Sequence, residues 1–203
     1  MPLSPPRGPG EPPEAPDPAT LRHWLEADNP ARRRMAARHL AGTPEASPCL
    51  AARLQVEERP EVREALLAAL ICQDDGVAAD ALLGCLRSPE VSLRNGAVEA
   101  LQQMPEAFAV HGPSLLADPD PQIRQRAVEV MRDLRHPGVP GWLLAVLPTE
   151  TDPNVCVAVV DALAEVGDAG ACPYLEALME RFPGEPVVAL AAGEALHRLE
   201  GWE

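Results

Sequence analysis

The 203 residues are 46% hydrophobic but only 3% aromatic. Burial therefore falls to Leu, Ala and Val, small aliphatic side chains that suit closely packed helices and fit a β-sandwich poorly. The formal net charge is -14 and every one of the 17 basic residues is an arginine, which speaks against a nucleic-acid footprint and against an anionic membrane surface.

Residues 1–16 hold seven prolines and almost no large apolar group, so they read as a disordered Pro-rich tail with polyproline character, the remainder (17–203) forming one domain. The first residues, MPLSPPRGPG, lack the apolar run of a signal peptide, and no uninterrupted apolar run is long enough to span a bilayer. The expectation is a soluble, cytoplasmic chain without membrane insertion.

From Asp17 onward, prolines recur at 30, 60, 89, 121, 153 and 186, each shortly before an apolar stretch of helical length. Proline is tolerated in a first helical turn, where its missing N–H has no intrahelical partner, so these positions mark helix starts. A large apolar residue anchors each such helix: Leu40, Leu70, Leu101, Met131, Leu163 and Leu196. Four residues earlier stand Ala36, Leu66, Ala97, Ala127, Val159 and Ala192, and eight earlier Arg32, Val62, Leu93, Ile123, Val155 and Val188. Offsets of four and eight share one face of a 3.6-residue helix, so the columns define a buried stripe. Shorter apolar stretches at roughly 18–27, 47–56, 76–87, 107–117, 140–148 and 170–181 supply the first helix of each pair. The reading is all-α: a right-handed α-solenoid of about six helix-turn-helix units, each completing its neighbour's core.

No motif of catalysis interrupts this pattern. The chain lacks G-x-S-x-G, H-E-x-x-H and any P-loop lysine, and its five histidines (23, 39, 111, 136, 197) fall in different units. Five cysteines (49, 72, 85, 156, 172) form an odd set without Cys-x-x-Cys, and read as small residues within apolar stretches of a reducing compartment. No catalytic residue, metal ligand or cofactor is expected.

One basic column stands out: Arg33, Arg63, Arg94 and Arg124, lapsing to Cys156 and Ala189. At the border of the buried stripe each Arg can pair with an acid of the preceding turn, such as Asp28, Glu57 or Asp118, and brace the stack. Opposite the stripe, the positions two, six and nine before each anchor point to solvent. They include Arg34 and Arg38, then Glu64, then Glu99, then Gln125 and Glu129, then Val157 and Asp161, and finally Val187, Leu190 and Glu194. If the second helices line an inner surface, that surface begins basic and ends acidic with apolar patches at Val157, Val187 and Leu190. Residues 17–54 carry six Arg and four acids, a formal +2, whereas residues 141–203 carry two Arg and eleven acids, a formal -9. Such a ridge suits a protein partner with a basic, amphipathic segment.

The segments Asp118–Met131 (DPDPQIRQRAVEVM) and Glu165–Met179 (EVGDAGACPYLEALM) resemble HEAT-like repeats of the short bacterial type also found in phycobilisome bilin lyases. The shared features are an acidic-Pro turn, an apolar residue followed by Arg, then Ala and Leu on the second helix. The resemblance spans about residues 17–200 and implies an α-solenoid scaffold for protein–protein interaction. It also implies an alternative, a bilin (tetrapyrrole) lyase or chaperone subunit, and a third use, nucleic-acid binding as in HEAT-like alkylpurine glycosylases, which the acidic ridge disfavours. Tetratricopeptide and ankyrin signatures, which need fixed aromatics or a Thr-Pro-Leu-His turn, are absent.

Overall fold

The computed structural model describes residues 16–201, and among them it contains twelve α-helices and no strand. The Pro-rich tail read at 1–16 lies, apart from Pro16, outside the described residues, as do Trp202 and Glu203. The helices form six pairs: α1 (Pro18–Leu25) with α2 (Pro30–Leu40), α3 (Ser47–Val56) with α4 (Pro60–Gln73), α5 (Gly76–Cys85) with α6 (Val91–Leu101), α7 (Pro105–His111) with α8 (Pro121–Asp133), α9 (Val139–Val146) with α10 (Pro153–Val166), and α11 (Cys172–Arg181) with α12 (Pro186–Glu200). Each even-numbered helix packs on the next, so the second helices form a continuous layer with the first helices against it. The protein is an all-α solenoid.

Helix entry follows local chemistry. Proline opens α2, α4, α8, α10 and α12. Just before three of them, side-chain oxygens accept free N–H groups of the first turn: Asn29 from Ala31, Asp120 from Gln122, and Asp152 from Asn154 and Val155. Each such cap contributes about 1 kcal/mol. Pro89 differs, because α6 begins at Val91 behind Glu90; here the proline lies in the approach to the helix rather than its first turn.

The apolar columns form the core. Leu40, Leu70, Leu101, Met131 and Leu163 are all fully buried, and so are Ala36, Leu66, Ala97, Ala127, Val159 and Ala192. Two departures fall at the ends of the stack. Leu196 is only half-buried, and Arg32 is exposed where Val62, Leu93, Ile123, Val155 and Val188 are buried. An end repeat has a neighbour on one side only, so a position that packs on a neighbour elsewhere meets solvent there.

The fourth pair is irregular. The expected helix over 107–117 divides at Gly112, where α7 gives way to a 3₁₀ segment, Gly112–Ala117. Pro113 removes one N–H, and a Cβ on Gly112 would lie 2.3 Å from the ring of the fully buried Phe108. Glycine is required for that close approach. The 3₁₀ segment scarcely touches α9, leaving a cleft of about 480 Å³ lined by Leu116, Trp142, Ala145 and Val146 beside Arg124 and Glu150.

Candidate functional site

Two features emerge from the residues upward: a set of arginine clamps between repeats, and hollows along the ridge of second helices. In the first clamp Arg33 makes a two-pronged contact with Glu57, 2.7 Å from Nε and 2.8 Å from Nη2, while Nη1 donates to the carbonyls of Ala27 and Asp28 at 2.9 and 2.8 Å. Arg124 repeats the pattern with Glu150, at 2.7 Å for both contacts, and donates to the Asp118 carbonyl at 2.8 Å. Arg63 donates to the Glu57 carbonyl at 2.5 Å and pairs with Glu90. Arg94 reaches only the Ser88 carbonyl, at 2.8 Å.

The partner geometry corrects the expected pairing for this column. For Arg33, Arg63 and Arg124 the preceding turn offers carbonyl oxygens, and the carboxylate comes from the following repeat: Glu57, Glu90 and Glu150. Arginine can serve both at once because its guanidinium fork presents several donors in one plane. Where the column lapses, Cys156 is fully buried with Sγ 3.9 Å from the Glu150 carbonyl; burial pushes its thiol up to about 11. Arg181 of α11 donates to the carbonyls of Leu147 and Glu150 instead.

Both buried carboxylates are fully engaged. Burial alone would raise the pKa of Glu57, but Arg33, the Arg59 N–H and Arg53 outweigh it and hold the group at about 2. Burial likewise opposes ionisation of Glu150, and Arg124 with the N–H groups of Asp152 and Thr151 holds it below the usual carboxylate range.

On the ridge, Arg34, Arg38, Glu64, Glu99, Gln125, Glu129, Asp161, Leu190 and Glu194 are exposed. Val157 is a correction: it is half-buried, packed against the core, rather than an exposed apolar patch. Val187 and Leu190 are 62% and 65% exposed. The fold draws Gln125, Glu129, Val157 and Asp161 together with Val128, Arg132, Asn154, Ala158 and Val187 around a hollow of about 360 Å³ between α8, α10 and α12. A smaller hollow of about 180 Å³ adjoins it through Arg132 and Asp161 and takes in Glu165, Glu194 and Arg198. Arg34, Arg38, Glu64, Glu99 and Leu190 line neither hollow.

Arg132 and Arg198 are the ridge residues that the face positions missed. They follow their anchors by one and two residues, and the signal was present in the opposite charges of Arg132 and Asp161 on neighbouring helices and of Glu194 and Arg198 four residues apart on α12. Asp161 feels all of them. Desolvation raises its pKa, Glu194 and Glu165 add to the rise, and Arg132 and Arg198 oppose it.

The hollow offers carboxylates, amides and aliphatic surface, a combination suited to a cationic side chain carried on an apolar stem. Among the described residues no group of three or more His, Cys, Asp or Glu is placed to hold a metal ion, and no helix is long and apolar enough to cross a membrane.

The structure of the complex of CpcE and CpcF of phycocyanin lyase from Nostoc sp. is similar at 18% identity, covering 97% of this chain and 100% of that one, with a TM-score of 0.42. Human deoxyhypusine hydroxylase in complex with glycerol is similar at 18% identity over 91% of this chain and 84% of its own, with a TM-score of 0.45. A designed armadillo repeat protein is similar at 18% identity over 90% of this chain and 100% of its own, with a TM-score of 0.42. No curated protein sequence matches the chain. The HEAT repeats family model matches residues 18–102 and again residues 113–197. The chain belongs to the HEAT-repeat family.

Proposed function

We propose that this protein is a non-enzymatic scaffold or adaptor that holds another protein on the ridge of its second helices, possession of a basic, amphipathic segment being the property it selects. The observation that carries this reading is the hollow between α8, α10 and α12, where Glu129 and Asp161 stand beside Val128, Val157 and Val187. An arginine or lysine entering there lays its methylene stem on the valines and brings its charge to the two carboxylates. Exposed Val187 and Leu190 extend the apolar strip along α12. Charges so arranged set partner choice and encounter rate more than affinity.

Arg132 and Arg198 bound the acidic patch and so limit where a cation can sit. The same carboxylates count against nucleic acid as the occupant. The alternative of a tetrapyrrole-handling lyase subunit draws on the family resemblance and on no residue of the ridge.

The test is capture from lysate of the source cell with the wild-type chain and with Glu129→Arg/Asp161→Arg as bait. The reading expects a protein retrieved by the wild type and lost from the variant, with salt weakening the retained complex. Equal retrieval by both baits sinks it.

A further inference from the structure

Successive second helices pack on one another, and the contact between α4 and α6 shows which register positions meet. There the residue three before the anchor of one helix faces the residue five before the anchor of the next. At the α4–α6 contact these are Leu67 and Gly96, and a Cβ on Gly96 would lie 2.6 Å from Leu67 Cδ1. At the other interior boundaries the same two positions hold Ala37 and Ala65, Val98 and Arg126, Val128 and Ala158, and Val160 and Ala191, and every one of these residues is buried or half-buried. In three of the five the earlier position holds a larger aliphatic side chain and the later one Gly or Ala, the combination that a close approach of two helices favours.

The two ends of the stack present the unused halves of this contact. At the C-terminal end the position three before the anchor is Gly193, exposed, with open space where a Cβ would stand. At the N-terminal end the position five before the anchor is Met35, 47% exposed. One end offers a hole and the other a knob.

Charge runs the same way. The exposed side of α2 carries Arg32, Arg34 and Arg38 and the helix has no acid, whereas α12 and its leading turn carry Glu185, Glu194 and Glu200 against Arg198 alone. We infer that the occupant of each end is a second copy of this chain, docked head to tail so that Met35 of one copy fills the space beside Gly193 of the next. The two surfaces differ, so the contact is heterologous and propagates along the solenoid axis instead of closing as a symmetric dimer. Met35 and Gly193 lie outside the hollow between α8, α10 and α12, although Glu194 and Arg198 are shared with the smaller hollow beside it.

The test is sedimentation velocity of the full chain over a concentration series at low and high salt. The wild type should sediment faster as concentration rises, and added salt should reverse this. Met35→Glu and Gly193→Arg alter exposed positions with room for the new side chain, and each alone should sediment as a monomer. Mixed together they should form a one-to-one dimer and nothing larger, because each variant retains the end that the other has lost. A wild type that stays monomeric throughout, including one whose end faces its own terminal residues cover, overturns the inference. So does a dimer that survives either substitution, or a mixture that fails to associate.

Discussion

At Glu57 two opposing effects meet. Burial disfavours the charged form, while Arg33, the Arg59 N–H and Arg53 favour it strongly enough to bring the group to about 2, against an ordinary value of 4.5. A carboxylate with a depressed folded pKa contributes stability that is fully present above the unfolded value and is lost as pH falls through the folded one. Glu57→Gln should therefore cost about 3 kcal/mol at neutral pH. The gap between variant and parent should close as pH drops from 4.5 towards 2. Urea midpoints at neutral and acid pH measure both, and a gap that persists at low pH would show that ionisation of Glu57 is not what matters. Arg94, which reaches one carbonyl and no carboxylate, sets the lower bound: Arg94→Ala should cost about 1 kcal/mol.

At the scale of the helix, the stripe predicts a gradient from the centre of the stack to its end. Leu70→Ala removes a fully buried side chain between two neighbours and should cost about 2–5 kcal/mol. Leu196→Ala, at a half-buried end position, should cost under about 2 kcal/mol. Chemical denaturation of the two variants compares them directly, and equal losses would mean that the last repeat is covered as fully as the second.

The paired helices were legible because their signals are local: a proline or a side-chain cap at entry, then apolar residues at helical spacing. Pro89 misled by two residues because proline suits the approach to a helix as well as its first turn. The 3₁₀ segment at Gly112–Ala117 was missed although Pro113 signals a break in the helix, and the close seating of Phe108 against Gly112 is a contact that apolar spacing alone does not encode. Gly112→Ala should accordingly destabilise the protein by about 1–3 kcal/mol, despite alanine's better helix propensity. On the ridge, exposure was legible for every polar position. Val157 was misplaced because α12 crosses near it, and Arg132 and Arg198 entered the site because α8, α10 and α12 of successive repeats pack in a row. The acid partners of the arginines were read one turn too early for the same reason: the carboxylate is supplied by the next repeat, some 24–27 residues on.

For the molecule as a whole, the stack divides its work between layers. Packing between successive second helices and the arginine clamps hold the repeats together, and the solvent-facing side of the second helices lies outside both. That side passes from arginines on α2 to carboxylates and valines between α8 and α12, and the net charge of -14 is concentrated towards the C-terminal half. The central claim is that this latter stretch grips a protein partner. Amide hydrogen exchange of the chain, alone and with its captured partner, addresses it directly. The account predicts slowed exchange in α8, α10 and the first turns of α12, and unchanged exchange in α3, α5 and α9. Slowed exchange confined to α9 and the 3₁₀ segment after α7, around Trp142 and Leu116, would contradict it and move the binding face to the opposite layer.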